Sequence, residues 1–209
     1  MGMGLQGSLL DQTEDIGVLE LSGRLRRTVL GDGAWVDIRP GWMTGADTVF
    51  SQLRDIVPWQ SERRRMYERI VEVPRLVRFY AAGEELPLPL LATARDQLST
   101  YYGAELGEPF VSTGLCYYRD GTDSVAWHGD TIGRSSTTDT MVAIVSVGAP
   151  RTLLLRPRGG GDSLRFLLGH GDLLVMGGSC QRTWEHAVPK TRRSTAGRIS
   201  VQFRAYDVR

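Results

Sequence analysis

The chain has 209 residues, of which 41% are hydrophobic and 23% are charged, and its formal net charge is +1 at pH 7. This length is enough for one domain with a substantial core, and the composition excludes a disordered chain, a coiled coil and a broadly cationic nucleic-acid coat. Any nucleic-acid surface must therefore be a local patch of the protein.

The sequence has no segment typical of secretion or membrane insertion. Its start lacks a basic residue cluster followed by a long apolar run, and no later stretch reaches the roughly 18 to 20 apolar residues that a membrane span requires. Cys116 and Cys180 show no metal-ligand spacing, which argues against a disulfide scaffold or a zinc finger. We therefore expect a soluble cytoplasmic protein without a membrane segment, acting as a monomer.

Before residue 104 the sequence predicts one β-hairpin and two helices. Two short apolar runs flank a glycine-rich turn, which is typical of a hairpin. In two further segments apolar residues recur at helical spacing, and each segment is followed by a helix terminator. The predicted elements are a hairpin of Leu25–Leu30 and Ala34–Ile38 around Gly31-Asp32-Gly33, a helix from Ala46 to Val57 before Pro58, and a helix from Leu90 to Tyr102 that ends at Gly103.

After Gly103 the sequence changes to short β-type runs separated by turn residues. Strands at this spacing predict a sandwich or a barrel. No internal repeat, low-complexity tract or linker marks a second domain. The predicted strands are Phe110–Tyr118, Met141–Val147, Thr152–Arg156, Ser163–Leu168, Asp172–Met176 and Arg198–Tyr206.

The three histidines, at positions 128, 170 and 186, limit where a histidine-dependent site can lie. In an extended segment residues i and i+2 share a face, so His128 and Asp130 are expected to project together. With a histidine from a distant strand they form a 2-His-1-carboxylate triad, which leaves coordination positions open for a co-substrate and dioxygen. We choose His186 as the third ligand, because His170 lies between two strand-like runs and is typical of a surface turn. The His-x-Asp tripeptide alone is a weak signal.

The last predicted strand alternates between two kinds of residue. Its odd positions are apolar, and its even positions are polar: Arg198, Ser200, Gln202 and Arg204. One interpretation is an edge strand with a solvated face. The other is a strand whose polar face lines a pocket, where guanidinium groups bind both ends of a small dicarboxylate through charge-assisted hydrogen bonds.

Taken together, these motifs resemble the AlkB family of Fe(II)- and 2-oxoglutarate-dependent dioxygenases. The resemblance rests on His128-x-Asp130, on His186, and on Arg198 followed by Arg204 at the family's spacing. It extends roughly from Trp35 to Tyr206. Further matching segments are Arg119-Asp120-Gly121, Gly169 to Gly178, and Val73-Pro74-Arg75 through Tyr80.

The resemblance implies a mainly β fold with flanking helices, a double-stranded β-helix (jelly-roll) barrel with an N-terminal α/β lid region. Residues 1–209 then form a single domain. Within it, residues 1–34 are an N-terminal extension, residues 35–103 are the lid with its supporting helices, and residues 104–209 are the jelly-roll core.

The resemblance also implies the ligands of the cofactors Fe(II), 2-oxoglutarate and O2. His128, Asp130 and His186 are the expected iron ligands. Four residues are expected to contact 2-oxoglutarate: Tyr118 and Arg198 at its distal carboxylate, Arg204 at the carboxylate beside the keto group, and Ser200, which stands where the family often has asparagine. Cys116 also replaces a family asparagine.

The activity that the resemblance implies is oxidative dealkylation of N-alkylated bases in DNA or RNA, as in the repair of alkylation damage, with release of an aldehyde, succinate and CO2. The alkylated edge of a base is buried in a duplex, so such an enzyme needs a single strand or a flipped base. The arginine-rich, aromatic segment Trp59–Tyr80 has the composition of a nucleic-acid lid, although a charged run is as often a solvated surface. The candidate substrate contacts are Arg75, Phe79, Tyr80, Arg156 and Arg193.

Two alternatives remain open on the sequence. Thr131-Ile132-Gly133 stands where the family's repair enzymes commonly carry acidic residues, so a 2-oxoglutarate-dependent hydroxylase of a small molecule or a protein side chain is the second hypothesis. A non-catalytic binding module that senses oxygen or a metabolite is the third. The intact triad and both arginines argue against the third hypothesis, and the basic segment favours nucleic acid over the second.

Overall fold

The computed structural model describes residues 15–66, 69–192 and 195–208, with the backbone alone described for residues 62–66 and 69–72. The helices in these ranges are α1 (Ala46–Ile56), α2 (Pro89–Leu106) and α3 (Cys180–Thr183). The strands are β1 (Gly17–Val18), β2 (Arg26–Gly31), β3 (Ala34–Arg39), β4 (Met43–Thr44), β5 (Gln60–Met66), β6 (Arg69–Tyr80), β7 (Ser112–Tyr118), β8 (Val125–His128), β9 (Val142–Gly148), β10 (Arg151–Pro157), β11 (Leu164–Leu168), β12 (Asp172–Gly178), β13 (Trp184–Val188) and β14 (Arg198–Arg204).

Two antiparallel sheets form the framework of the molecule. The larger sheet has the strand order β2-β3-β12-β9-β14-β7-β6-β5, and the smaller has the order β11-β10-β13-β8. Four central strands of the larger sheet and the four strands of the smaller sheet together form the jelly roll. The predicted fold class, mainly β with flanking helices, is therefore confirmed.

The larger sheet separates two apolar layers. On one side, residues such as Ile144 and Leu174 meet Leu153 and Val188 of the smaller sheet. On the other side, the sheet packs against α1 and α2 through alternate residues of its strands. Because side chains alternate across a strand, each central strand serves both layers at once.

Most of the predicted elements are confirmed. The hairpin appears as β2 and β3, and α1 spans nearly the predicted range. Each of the six predicted strands after Gly103 is present, with ends that differ by a few residues. The spacing of apolar residues and the turn residues were sufficient to predict these elements, because the strands are short, regular and separated by glycine.

The end predicted for the second helix is wrong. Helix α2 continues past Gly103 to Leu106 and ends at Gly107, whose φ of 78° is left-handed and whose N–H donates to the Gly103 carbonyl at 2.9 Å. A glycine inside a helix costs only about 1 kcal/mol relative to alanine. Gly103 is therefore tolerated within α2, and Gly107 provides the terminating conformation.

Within Trp59–Tyr80 the described residues form two antiparallel strands, here called the β5–β6 hairpin, which the sequence did not predict. Strands β5 and β6 pair with each other, and β6 pairs with β7, so the hairpin extends the larger sheet at one edge. Charged residues interrupt the apolar alternation that marks a strand, which concealed the hairpin. The arginines at 63–65 and at 69 lie outside the described side chains.

A buried polar network joins the N-terminal hairpin to α2. Asp37 of β3 is fully buried. Arg27 donates to both of its carboxylate oxygens at 2.8 Å, and the Tyr102 hydroxyl donates to Oδ2 at 2.9 Å.

Among the described residues, no helix combines the length and the apolarity that crossing a bilayer requires.

Candidate metal and co-substrate site

The predicted triad comes together at the edge of the smaller sheet. His128 ends β8 and lies opposite His186 of β13 in the antiparallel pairing, which brings the two imidazole centroids within 4.2 Å. Asp130 follows two residues after His128. The potential ligand atoms of the three residues all lie within 4.8 Å of one another.

The donor set fits Fe(II). Two imidazoles and one carboxylate are the set found in non-haem iron oxygenases. His128 Nδ1 lies 2.8 Å from the Ala126 carbonyl oxygen, so its N–H donates there and leaves the Nε2 lone pair available. Burial lowers the pKa of His128, and burial with the neighbouring imidazole lowers the pKa of His186 to about 3. Both imidazoles are therefore neutral, which is the form that binds a metal.

Asp130 is held as a buried carboxylate anion. Arg204 Nε donates to its Oδ2 at 2.7 Å, while Oδ1 lies 3.9 Å from His128 Nε2. Burial acts to raise the pKa of Asp130, but the positive charge of Arg204, the two imidazoles and the Arg204 hydrogen bond outweigh burial and hold the pKa at about 2. The ligand is therefore ionised before any metal binds.

Two residues that the sequence did not single out shape the ligand loop. Gln181 of α3 is 1% exposed, and its Oε1 accepts a hydrogen bond from the Asp130 backbone N–H at 3.0 Å. A Cβ on Gly129 would lie 2.7 Å from the Gln181 carbonyl oxygen, which requires glycine between the two ligands. Gln181 is 51 positions away from Asp130, so no local pattern could have linked them.

A cavity of about 840 Å³ lies over the triad. The even-numbered residues of β14 line it: Arg198, Ser200, Gln202 and Arg204. Strand β14 pairs with β7 on one side and β9 on the other, so it is a central strand. The interpretation of this face as a solvated edge is therefore excluded, and the polar face lines a pocket.

Arg198 and Tyr118 form a buried pair on one wall of this cavity. Each is 2% exposed, and the Arg198 guanidinium carbon lies 5.3 Å from the centre of the Tyr118 ring. Arg198 Nε donates to Ser146 Oγ at 2.8 Å. Burial raises the pKa of Tyr118 to about 12, so the phenol keeps its proton. The pair presents a permanent positive charge and a hydroxyl donor, which together suit an anionic group.

Arg204 is tied to the metal ligand in addition to lining the cavity. Besides its bond to Asp130, its Nη2 donates to Gln202 Oε1 at 2.5 Å. Gln202 Nε2 in turn donates to Ser200 Oγ at 3.3 Å. A Cβ on Gly114 of β7 would lie 2.9 Å from Arg204 Nη1, so a glycine there leaves room for the guanidinium.

The candidate substrate contacts separate into three groups. Arg75 and Phe79 line the cavity, and Phe79 is 40% exposed. Tyr80 is 5% exposed and packs in the core with the helices, because adjacent residues of β6 face opposite sides. Arg156 donates to Glu185 at 3.1 and 3.2 Å and stacks on Trp127, and it is absent from the described lining of the cavity. The structure thus places Tyr80 and Arg156 away from the cavity lining, and Arg193 lies outside the described residues.

His170 occupies the exposed turn that the sequence indicated. Its Nδ1 accepts a hydrogen bond from the Gly148 N–H at 2.7 Å, and its Nε2 lies 3.2 Å from an Asp47 oxygen. This histidine therefore links a turn to α1 and takes no part in the triad.

The chain is similar to proteins of one superfamily in sequence. Residues 45–204 match the model of the 2OG-Fe(II) oxygenase superfamily. "Alpha-ketoglutarate-dependent dioxygenase alkB homolog 3" of Bos taurus is 32% identical over 185 residues, which cover 76% of this chain and 61% of that protein. "DNA oxidative demethylase ALKBH2" of Arabidopsis thaliana is 27% identical over 192 residues, which cover 75% of this chain and 61% of that protein. The chain thus spans about 61% of the length of these curated relatives.

Solved structures share the fold at low sequence identity. A prolyl hydroxylase from Trichoplax adhaerens, in complex with a hypoxia inducible factor peptide fragment, superposes with a TM-score of 0.60 at 11% identity and covers 82% of this chain and 83% of its own. The structure of OsALKBH1 superposes with a TM-score of 0.59 at 13% identity, and the match covers 87% of this chain and 100% of that chain. The cofactors of the superfamily are Fe(II), 2-oxoglutarate and dioxygen. The triad, the arginines of β14, the jelly roll and the sequence matches agree, and the chain belongs to the 2OG-Fe(II) oxygenase superfamily and, within it, to the AlkB family.

Proposed function

We propose that this protein is a 2-oxoglutarate-dependent dioxygenase that removes alkyl groups from the bases of DNA or RNA. The observation that carries the proposal is the cavity, which is lined by both the triad and the buried Arg198–Tyr118 pair. The names of the relatives add support, since one of them is a DNA oxidative demethylase.

In this proposal His128, Asp130 and His186 hold Fe(II). The bound metal supplies the activation of dioxygen that an unactivated C–H bond requires. The protein keeps the two imidazoles neutral and the carboxylate ionised, so the metal binds without first displacing protons. The hydrogen bonds of Ala126 and Gln181 fix the direction of the ligands.

The proposed 2-oxoglutarate site uses the even-numbered face of β14. Arg198 and Tyr118 hold the distal carboxylate, since a buried guanidinium and a phenol donate to an anion without competition from water. Arg204 keeps Asp130 ionised, and we assign its remaining N–H groups to the carboxylate beside the keto group. Ser200 lies between the two arginines on the same face and supplies a hydroxyl.

The proposed substrate entry is the rim formed by the β5–β6 hairpin and the loop after Asp130. Phe79 and Ile132 are apolar side chains at this rim, 40% and 67% exposed. An exposed aromatic ring is a stacking surface for an unpaired base, worth about 1 to 3 kcal/mol in single-strand binding. We therefore propose that a base enters after leaving its stack, from a single strand or by flipping.

The test is the release of formaldehyde from a methylated oligonucleotide. Protein loaded anaerobically with Fe(II) receives 2-oxoglutarate, oxygen and single-stranded oligonucleotides that carry one N-methylated base: 1-methyladenine, 3-methylcytosine, 3-methylthymine or 1-methylguanine. We expect at least one of them to raise succinate formation above the level with unmodified oligonucleotide and to release an equal amount of formaldehyde. The Asp130→Ala variant is the matched control and should form neither product.

The opposite result would refute the proposed activity. Succinate that forms at the same rate with and without every methylated oligonucleotide, with no formaldehyde, would refute the dealkylase. Loss of this succinate in Asp130→Ala would then point to a hydroxylase of a small molecule or a protein side chain.

A further inference from the structure

The side-chain amide of Gln202 connects several residues of the cavity lining to one another. Its Oε1 accepts a hydrogen bond from Arg204 Nη2 at 2.5 Å. Its Nε2 donates to Ser200 Oγ at 3.3 Å and to Cys116 Sγ at 3.6 Å. All four residues line the cavity, and Cys116 lies opposite Ser200 on the neighbouring strand β7. Gln202 therefore joins two strands and the proposed 2-oxoglutarate contacts in one network.

Arg204 determines which way the Gln202 amide is turned. A guanidinium only donates hydrogen bonds, so the amide atom that faces it must be the oxygen. The opposite orientation would place the NH2 group against the guanidinium, with two donors facing each other. The amide nitrogen and its two N–H groups are therefore directed at Ser200 and Cys116.

This orientation determines what Ser200 offers to the cavity. A hydroxyl has one proton to donate and two lone pairs that accept. The Ser200 oxygen accepts from Gln202, so its proton is left to donate to another group. Ser200 is 2% exposed and borders the cavity, where a buried donor suits the carboxylate or keto oxygen of 2-oxoglutarate. Gln202 thus makes Ser200 a donor toward the co-substrate.

Gln202 also restricts the orientation of Arg204. The guanidinium donates from Nε to Asp130 Oδ2 at 2.7 Å and from Nη2 to Gln202, and bonds at two of its nitrogens fix its plane. Gly114 of β7 borders the same group, since a Cβ there would lie 2.9 Å from Arg204 Nη1 and 3.6 Å from Gln202 Oε1. Arg204 therefore cannot turn away from Asp130 without losing its bond to Gln202, and the site is ordered before a ligand binds.

We propose that Gln202 is a positioning residue for 2-oxoglutarate, which holds Arg204 against Asp130 and directs the Ser200 hydroxyl to the co-substrate as a donor. This inference rests on the proposed function and specifies how its co-substrate site is ordered. Gln202 acts through Arg204 and Ser200 and not on the reacting atoms. Its loss should therefore weaken the binding of 2-oxoglutarate and leave the binding of nucleic acid unchanged.

Gln202→Met tests the proposal, because methionine has a similar length but no amide. Titration of 2-oxoglutarate into Mn(II)-loaded protein should show an affinity about tenfold below wild type. The KM for 2-oxoglutarate should rise by a similar factor, while the KM for a methylated oligonucleotide stays within about twofold. Wild-type affinity for 2-oxoglutarate in the folded variant would overturn the inference, and so would a lower melting temperature as the sole effect.

Ser200→Ala is a smaller change, which keeps the inference testable if Gln202→Met does not fold. The variant removes the hydroxyl and leaves the amide bonded to Arg204. It should weaken 2-oxoglutarate binding about threefold, as the loss of one hydrogen bond predicts. Unchanged affinity would overturn the assignment of this hydroxyl as a donor to the co-substrate.

A double-mutant cycle shows whether Gln202 acts through Arg204. Arg204→Lys keeps a positive charge but lacks the fork that bonds Asp130 and Gln202 together. In this background Gln202→Met should weaken 2-oxoglutarate binding by less than about threefold, because the partner it positions is already changed. A full tenfold loss in both backgrounds would overturn the inference. Failure of the wild type to bind 2-oxoglutarate at all would refute the proposed function itself, which is a different result.

Discussion

The two faces of β14 perform different tasks, although each contains residues that are almost completely buried. Ile199, Val201 and Phe203 are fully buried against the layer that contains α1 and α2. Arg198 on the opposite face is 2% exposed, yet its neighbours are a hydroxyl, a phenol and the cavity. Burial alone therefore does not distinguish structural from functional residues. The groups that a buried side chain contacts do distinguish them. The two-residue period of the strand places structural residues on one face and functional residues on the other.

Phe203→Ala is expected to have the largest effect on the outer face. Removal of a fully buried aromatic ring leaves a cavity, and the free energy of unfolding should fall by about 3 to 5 kcal/mol. Urea denaturation measures this change. The folded variant should bind 2-oxoglutarate with wild-type affinity within about twofold, since additivity holds for groups without shared partners. Weaker 2-oxoglutarate binding at unchanged stability would contradict the assignment of one face of β14 to the core and the other to the ligand.

Gln181→Leu tests whether a buried polar group near the cavity serves the metal. The variant removes the acceptor of the Asp130 N–H, and loss of such an outer partner should weaken Mn(II) binding about tenfold. Isothermal titration of the metal-free protein measures the affinity. Cys180→Ala, at the neighbouring buried position, is the control and should keep wild-type Mn(II) affinity. Equal affinities for both variants would show that Gln181 supports only the fold.

Tyr102→Phe tests a buried polar group in the layer that contains α1 and α2, away from the cavity. The hydroxyl donates to buried Asp37, which keeps both hydrogen bonds from Arg27 in the variant. The free energy of unfolding should therefore fall by only about 1 kcal/mol. Mn(II) and 2-oxoglutarate affinities, measured by titration, should not change. A loss of either affinity would contradict the view that this network lies apart from the site.

The sequence was sufficient to predict features that depend on the spacing of residues along one strand. The two-residue spacing of His128 and Asp130 predicted that they project together, and both line the cavity. The alternation of β14 separates its arginines from its apolar residues. The open question of where the polar face of β14 points could be answered only by strand order, which places this strand at the centre of a sheet.

Long-range packing accounts for what the sequence did not predict. Gln181 meets Asp130 only because α3 lies under the ligand loop. Phe79 and Tyr80 were both expected at the substrate, but once β6 is a strand they must face opposite sides. Arg156 finds a carboxylate partner on the neighbouring strand β13, which its own sequence context does not reveal.

The proposed activity depends most on the polar face of β14 as the 2-oxoglutarate site, and Arg198→Met tests this role directly. Titration of 2-oxoglutarate into Mn(II)-loaded protein should show an affinity about 100-fold or more below wild type, because a buried carboxylate loses its charged partner. The melting temperature should stay close to that of the wild type, since an apolar residue of similar volume replaces a buried charge. Wild-type affinity for 2-oxoglutarate in this folded variant would contradict the account.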